Sequence, residues 1–370
     1  MKIRSCQAWR ARLPACAALA ALALAAFAPV GLAPAAAAAT ASAPAPIEVK
    51  VVVVTMFEIG ADTGDTPGEF QLWHERQKLD ERFAFAHHHD LFMNRQTGVL
   101  GMVTGEGTAN SATAVMELGM DPRFDLSHAY WLVAGIAGVD PLDASIGSAA
   151  WAEYIVDGDL AHEIDAREIP PDWPTGYFPL DSSGPYDPQA KAAEGQVFKL
   201  NAPLVEWAYQ LTRGLNLGDS ASLQRSRARY TGYPNAQKPP FVLKGDNLAS
   251  MTFWHGKLLN DWANSWVSYW THGKGNFVTT AMEDSGTLVA LTYLSPTGKV
   301  NEDRVLVLRT ASNYSMPPPG VTAAENMKKE NEGYSGLAAS VESAYLVGST
   351  VVTAILKNWS TYRDHIPAGK

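Results

Sequence analysis

Cysteine is nearly missing from this chain of 370 residues: there are two, Cys6 and Cys16, both at its very start. From residue 17 onward nothing can form a disulfide, serve as a thiolate nucleophile or bind a metal through sulfur, so the fold rests on core packing. Charge is also sparse, at 18%, and basic residues fall short of acidic ones, 29 against 38, for a formal net charge of −9. No run of Lys or Arg relieves that sign. Such a surface repels nucleic acid and disfavours nucleotides that carry several phosphates. Glycine follows no fixed period and the hydrophobic content reaches 46%, which excludes collagen-like and disordered classes. The length admits one large core or two modest ones. Past the first forty residues no uninterrupted apolar run approaches the roughly 18 residues that a membrane-spanning helix needs.

What is present at the start is an address. Lys2, Arg4, Arg10 and Arg12 precede an Ala/Leu run from Cys16 to Val30, and Ala35–Ala39 offers small-residue cleavage sites. This is the layout of a secretory signal peptide over residues 1–39, followed by a Pro/Ala-rich leader over 40–46 and one domain over 47–370. No adjacent Arg pair marks a twin-Arg signal, and Cys16 precedes the apolar run rather than following it, which argues against a lipid anchor. The four basic residues leave with the signal while no acidic residue precedes Glu48, so 25 basic side chains remain against 38 acidic. The expected mature protein is exported, periplasmic and without a membrane span.

Val49–Val54 is a β-branched run without alternation, as in a strand buried on both faces. Val99–Val103 is a second strand, closed by Thr104-Gly105-Glu106-Gly107, and a helix follows from Thr108 to Leu118. Tyr130–Val133 reads as a strand ended by Ala134-Gly135-Ile136-Ala137-Gly138. Residues Ile146–Val156 read as a strand pair, and Val305–Leu308 as a late buried strand ending at Arg309. Leu337, Val341, Ala344, Tyr345, Val352 and Leu356 mark a long C-terminal helix between Gly336 and Trp359. Strands alternating with helices predict a single-domain layered α/β fold, with a central mixed, largely parallel β-sheet flanked by helices. One stretch breaks the rhythm: residues 169–188 hold six prolines with Trp173, Tyr177, Phe178 and Tyr186. It is too Pro-rich for regular structure and too aromatic for disorder, and reads as an ordered insertion covering a pocket. Trp262, Trp266 and Trp270 recur at a spacing of four, as core residues on one helical face do; Trp254 also reads as core.

In open α/β sheets ligands bind beyond the carboxyl ends of strands. That rule selects residues 56–68, 104–110, 134–140 and 310–320, each Gly- or Pro-rich and each following an apolar run. Taken in order, these segments resemble the nucleoside phosphorylase/nucleosidase superfamily, and more closely the purine nucleoside permeases. Thr104-Gly105-Glu106-Gly107 and the helix after it resemble the Gly-x-Gly element. Val133 to Gly138 resembles the Gly-Ser-x-Gly turn, and Lys244-Gly245-Asp246 resembles the Ser-Gly-Asp. Ala281-Met282-Glu283 resembles the Met-Glu that binds ribose. Arg309-Thr310-Ala311-Ser312-Asn313 resembles the Arg-x-x-Ser-Asp at the catalytic acid.

The resemblance implies a nucleoside phosphorylase/hydrolase-like fold and a purine nucleoside as ligand, with no metal or organic cofactor. Met282 and Glu283 hold ribose, and Arg309 orients or charge-balances its neighbours. Gly135 and Asn313 contact the base; separately, the aromatic content of the proline-rich cover offers Trp173 and Tyr177 as flat rings to sandwich it. Thr104, Gly105, Glu106 and Gly107 form the nucleophile loop. Assembly of like subunits, with a site completed by a neighbouring chain, is a further implication. Cleaving an N-ribosidic bond builds positive charge on the sugar, and a carboxylate beneath the ribose suits it. Two departures from the pattern matter. The acid that protonates purine N7 is Asp in nucleosidases, whereas position 313 is Asn, which cannot deliver a proton but can accept from N7–H while donating to a 6-carbonyl. Where phosphorylases hold phosphate with Arg and Ser, this chain has Val133 and Ile136, and Glu106 adds a carboxylate, so water is the expected nucleophile unless Arg95 or Arg167 substitutes. Glu58, in the first loop, is the expected base for that water, with Glu106 second. The expected activity is hydrolysis of 6-oxopurine nucleosides such as inosine and guanosine; a nucleoside-binding component of transport and a phosphorylase stay open.

Other signals carry less. His87-His88-His89-Asp90 reads as a solvated loop rather than a metal site, since consecutive residues point different ways. Glu58, Asp62 and Asp65 lack a calcium-loop pattern. Gly333-Tyr334-Ser335-Gly336 lacks the spacing of a nucleophile elbow and reads as a helix start. Export is checked by intact-mass spectrometry of protein recovered from the periplasm. The expected mass is that of a chain beginning close to Thr40, and a chain retaining Met1–Ala39 would refute the leader.

Overall fold

The unbroken run Val51–Thr55 (β1) lies in the middle of a large mixed sheet with every residue buried, as a strand covered by helices on both faces requires. The computed structural model describes residues 44–330 and 332–369. The expected signal peptide and the leader up to Ala43 lie outside the described residues. After β1 come helix α1 (Gln71–Gln77), strand β2 (Val99–Val103), helix α2 (Thr108–Met120) and strand β3 (Tyr130–Val139). Strands β4 (Ala149–Ala152), β5 (Tyr154–Asp157) and β6 (Asp246–Ala249) precede helix α3 (Lys257–Trp270). Strand β7 (Phe277–Ala281), helix α4 (Asp284–Leu294), strand β8 (Val305–Tyr314) and helices α5 (Ala323–Glu330) and α6 (Leu337–Lys357) complete the frame. This is the expected layered α/β architecture.

Strand β3 changes partners along its length. Tyr130–Val133 pair in parallel with Val51–Val54 of β1, whereas Gly138 and Val139 pair antiparallel with Thr280 and Thr279 of β7. Strand β8 runs parallel to β3 along its other edge and takes β4 antiparallel on its far side. Strand β6 lies between β5 and β7, parallel to both. The split between β1 and β3 just past Val133 opens the space in which the site is built.

Two strands outrun their expected ends. Ala134–Gly138 is not a turn but the continuation of β3, and β8 passes Arg309 to reach Tyr314. The two pair with each other throughout, and that ladder satisfies their backbone groups where glycine alone would signal a break. The register shifts between Ala311 and Asn313, which face Ala137 and Gly138, so Ser312 is an extra residue in a β-bulge. Such a bulge re-aims the side chains around it.

Helix α6 packs on β3 and β8, burying Val341, Ala344, Val347, Val351 and Val352. It is long and apolar enough to cross a membrane by length and composition, yet half of it is buried in this fold. The insertion over 169–188 is irregular apart from Tyr177–Pro179, which pairs with Ala161–Glu163. It lies against α3, with the Tyr177 ring 4.5 Å from Trp262 and Tyr186 5.6 Å from Tyr269. Trp262, Trp266 and Trp270 are buried beneath it.

Helices α2 and α4 cross where Gly286 presses on the carbonyl of Thr108, and Ser111 Oγ meets Thr287 Oγ1 at 2.5 Å beside it. A Cβ at 286 would overlap that carbonyl. Gly286→Ala should therefore force the helices apart and cost about 1–3 kcal/mol, read as a lowered midpoint in thermal unfolding. An unchanged midpoint would show that this crossing is not tight.

Candidate functional site

The carboxyl ends of β1, β3, β7 and β8 converge on a cavity of about 410 Å³, within the range of small-molecule sites. At its floor lies Arg309, carried by β8 and 1% exposed. Its Nη2 donates to Asp284 at 2.5 Å and to Glu283 at 3.0 Å, its Nε meets both Asp284 oxygens at 3.1 Å, and its Nη1 donates to the Ile136 carbonyl at 3.0 Å. Met282 and Glu283 lie between β7 and α4 and both line the cavity. Oε1 of Glu283 accepts the N–H of Gly107 at 3.2 Å, and Oε2 accepts that of Met282. The sugar-side carboxylate expected from the sequence is thus tied to the Thr104–Gly107 loop. Of that loop only Glu106 lines the cavity; Gly105 and Gly107 adopt the left-handed conformation (φ +83° and +91°) that carries the chain into α2.

A third carboxylate completes the floor. Where β1 and β3 diverge, two backbone N–H groups lose their ladder partners, and Glu69 takes both: Oε2 accepts from Met56 at 2.7 Å and Oε1 from Ile136 at 2.6 Å. Glu69 lines the cavity beside Glu283 and Arg309. Burial pushes its carboxyl up to about 8, against the pull of the Arg309 charge and with a smaller push from Glu283. Burial also raises Glu283, opposed by Arg309. Burial works against the charge on Arg309 itself, but Asp284 and Glu283 outweigh it and hold its pKa above the usual value.

Asn313 follows the bulge and lines the same cavity, 3% exposed. Its Oδ1 accepts from Ser312 Oγ at 2.8 Å and its Nδ2 donates to the Tyr314 carbonyl at 3.2 Å. An amide held this way keeps one N–H and a carbonyl lone pair for a ligand. Glu283 and Asn313, widely separated in sequence, therefore share one cavity with Arg309.

Other expected site residues lie elsewhere. Glu58 does not line the cavity. Its carboxylate accepts the N–H groups of Ile59, Gly68, Phe70 and Gln71 and ties the loop to the start of α1. With its oxygens so occupied it is a structural anchor, and the carboxylate of this region that lines the cavity is Glu69. Gly135 lies beneath the floor rather than against a base: a Cβ there would come within 2.6 Å of Arg309 and 2.7 Å of Glu69. Trp173 and Tyr177 belong to the insertion over α3, where Trp173 meets Phe178 and Tyr177 meets Trp262. Tyr177 borders a smaller neighbouring cavity that shares Ser250, Thr252 and Trp254 with the main one. The aromatic residues lining the main cavity are instead Phe57, Phe253, Trp254 and Tyr334, and the Phe253 and Tyr334 rings stand parallel within 8° at 6.2 Å. Trp254, though buried, is a wall as well as core.

Among the described lining residues Arg309 is the sole cation. Arg95 pairs with Glu81 and Arg167 with Asp165, both away from the cavity. His89 faces Asp62 at 2.8 Å and His88 faces Glu117 at 3.4 Å, so neighbouring histidines serve different carboxylates.

Fold and site together define an α/β protein with a carboxylate-rich crevice at its strand ends, of a size for a small molecule. The chain belongs to the purine nucleoside permease family: residues 48–367 match the model of that family, described as purine nucleoside permease (NUP). It is 31% identical over 273 residues to the purine nucleoside permease of Candida albicans, covering 73% of this chain and 67% of that protein. A Schizosaccharomyces pombe protein named probable purine nucleoside permease is 30% identical over 276 residues, covering 72% and 78%. Similar solved structures include the 5′-methylthioadenosine/S-adenosylhomocysteine nucleosidase of Helicobacter pylori, with TM-score 0.48, 14% identity, and 83% and 98% coverage. The futalosine hydrolase of the same organism has TM-score 0.47, 12% identity, and 83% and 98% coverage.

Glu69 links this floor to pH. Its pKa of about 8 in the fold lies above the usual 4.5, so on raising pH the unfolded chain releases this proton first. Its contribution to stability is complete below about pH 4.5 and is lost as pH rises to about 8. In denaturant unfolding between pH 5 and 8.5, stability should fall with pH, and Glu69→Gln should flatten that fall. An equal slope in the variant would show that Glu69 is not the group responsible.

Proposed function

We propose that this chain is an exported purine nucleoside-binding protein that hydrolyses the N-ribosidic bond of 6-oxopurine nucleosides. The observation that carries this reading is the single cavity shared by Glu283, Glu69 and Asn313. Glu283, fixed by Gly107, Met282 and Arg309, accepts hydrogen bonds from the ribose hydroxyls and stabilises positive charge developing on the sugar. Asn313 donates to the 6-carbonyl and accepts from N7–H once N7 is protonated, and Phe253 and Tyr334 flank the base.

Water supplies the nucleophile. Its oxygen bonds to C1′ as the C1′–N9 bond breaks with both electrons leaving on the purine, and Glu69 takes the water proton. A carboxylate with pKa near neutrality suits that task. As the bond breaks the leaving purine takes a proton at N7 from solvent, since Asn313 has none to give, and Asn313 accepts from the N7–H so formed. Phosphate is the poorer nucleophile here: Arg309, the one lining cation among the described residues, is already bound to Glu283 and Asp284, and Glu106 opposes a dianion. The name carried by the fungal relatives favours a second reading, a binding component of nucleoside uptake that passes the nucleoside on unchanged.

Incubating the mature protein with inosine, with and without phosphate, and chromatographing the products separates these readings. Hypoxanthine formed without phosphate is expected; strict phosphate dependence or unchanged inosine would overturn hydrolysis. The rate should climb with pH towards about 8 as Glu69 ionises, and Glu69→Gln should lower kcat by ~10²–10⁴-fold. Faster cleavage of adenosine than of inosine and guanosine would overturn the base assignment.

A further inference from the structure

Asp284 opens α4 directly after Glu283, is fully buried and does not line the cavity. Among the described residues its carboxylate takes hydrogen bonds from Arg309 alone: Nε reaches both oxygens at 3.1 Å and Nη2 reaches Oδ1 at 2.5 Å. Glu283 shares Nη2 at 3.0 Å, but it also accepts the N–H groups of Gly107 and Met282 and it faces the cavity. Two successive carboxylates therefore divide one guanidinium. Burying charge is costly, so a second carboxylate on a cation that already has one calls for a reason beyond stability. That reason lies in the sign of the field. Arg309 paired with Glu283 alone would be neutral towards a ligand. With Asp284 along the Nε–Nη2 edge, the cluster is net negative, and in a buried site that difference is felt several ångströms away. Burial raises the Glu283 carboxyl, Arg309 pulls it down and Asp284 pushes it up, so the Asp284 charge reaches Glu283 with the sign opposite to that of Arg309.

We propose that Asp284 is a positioning residue for cleavage at the sugar: by holding the Nε–Nη2 edge of Arg309 it balances that cation and leaves Glu283 facing the ribose with its negative charge uncompensated. This rests on the reading above that the cavity takes a nucleoside and that positive charge develops on its sugar. Glu283 needs Arg309 to hold it in place, and Asp284 lets it keep that hold without losing its field. The ground-state sugar is uncharged, so the benefit appears only as the bond breaks, where an interaction lowers the barrier. Asp284 acts wholly through Arg309 and touches no part of the ligand.

The test compares two uncleavable, carbon-linked analogues of inosine on the full mature chain, by quenching of tryptophan fluorescence with Trp254 in the cavity wall as reporter. One keeps the uncharged sugar ring; in the other a protonated nitrogen replaces the ring oxygen. The wild type should bind the cationic analogue more tightly. Asp284→Asn should reduce that preference about 10- to 100-fold and change binding of the uncharged analogue little. Asp284→Glu, which keeps the charge, should keep the preference. If the amide N–H facing Arg309 prevents folding of Asp284→Asn, Asp284→Ser is read in its place with the same expectation. An unchanged preference in the uncharged variant, whatever its overall affinity, would mean that Asp284 merely supports the fold, and overturns the proposal. So would loss of the preference in folded Asp284→Glu. A wild type that binds both analogues equally would overturn the reading of charge on the sugar, and one that binds neither would overturn the nucleoside reading itself, each taking this proposal with it.

Discussion

One guanidinium organises the interior of this protein. Arg309 is enclosed between Glu283 and Asp284, with Glu69 close enough to influence its charge. These residues come from three places in the chain: the entry to α4, strand β8 and the approach to α1. Taking so many charges from water is costly, and an unpaired member would be costlier still. The pairing therefore dictates where α4 begins relative to β8 and holds the floor of the cavity rigid. Gly135 completes the arrangement, because only a residue without a side chain leaves room for both Arg309 and Glu69.

The parts of the fold that depend on local pattern are legible in the sequence. Val51–Val54 and Val99–Val103 announce buried strands by composition, and Leu337–Lys357 announces a helix by spacing. The placement of Glu283 and Asn313 near strand ends is legible for the same reason, whereas Arg309, expected at a strand end, lies within β8. Glu69 is not legible in this way. Its position depends on β1 and β3 parting company, which brings Met56 and Ile136 to one carboxylate across 80 residues of chain. Glu58 competes for attention because it follows β1 more closely, yet its surroundings turn it towards the start of α1. An acidic residue placed directly before the first helical run was the available signal for Glu69.

Aromatic residues teach a similar lesson. Composition sets the proline-rich segment over 169–188 apart, but says nothing of what it lies against. Its rings settle on the tryptophans of α3. The parallel rings of Phe253 and Tyr334 beside the cavity come from a loop after β6 and a turn before α6, which become neighbours only through the tertiary fold. The bulge at Ser312 is likewise invisible in the sequence, since it arises from a mismatch in count between two paired strands.

The bond from Gly107 N–H to Glu283 has a wider consequence. It yokes the loop that would face an incoming nucleophile to the group proposed to cradle the sugar, so neither can be remodelled alone. Grafting a phosphate cradle in place of Glu106 would drag the cradle of the sugar with it, and a change of co-substrate in this scaffold calls for concerted replacements in both βα junctions.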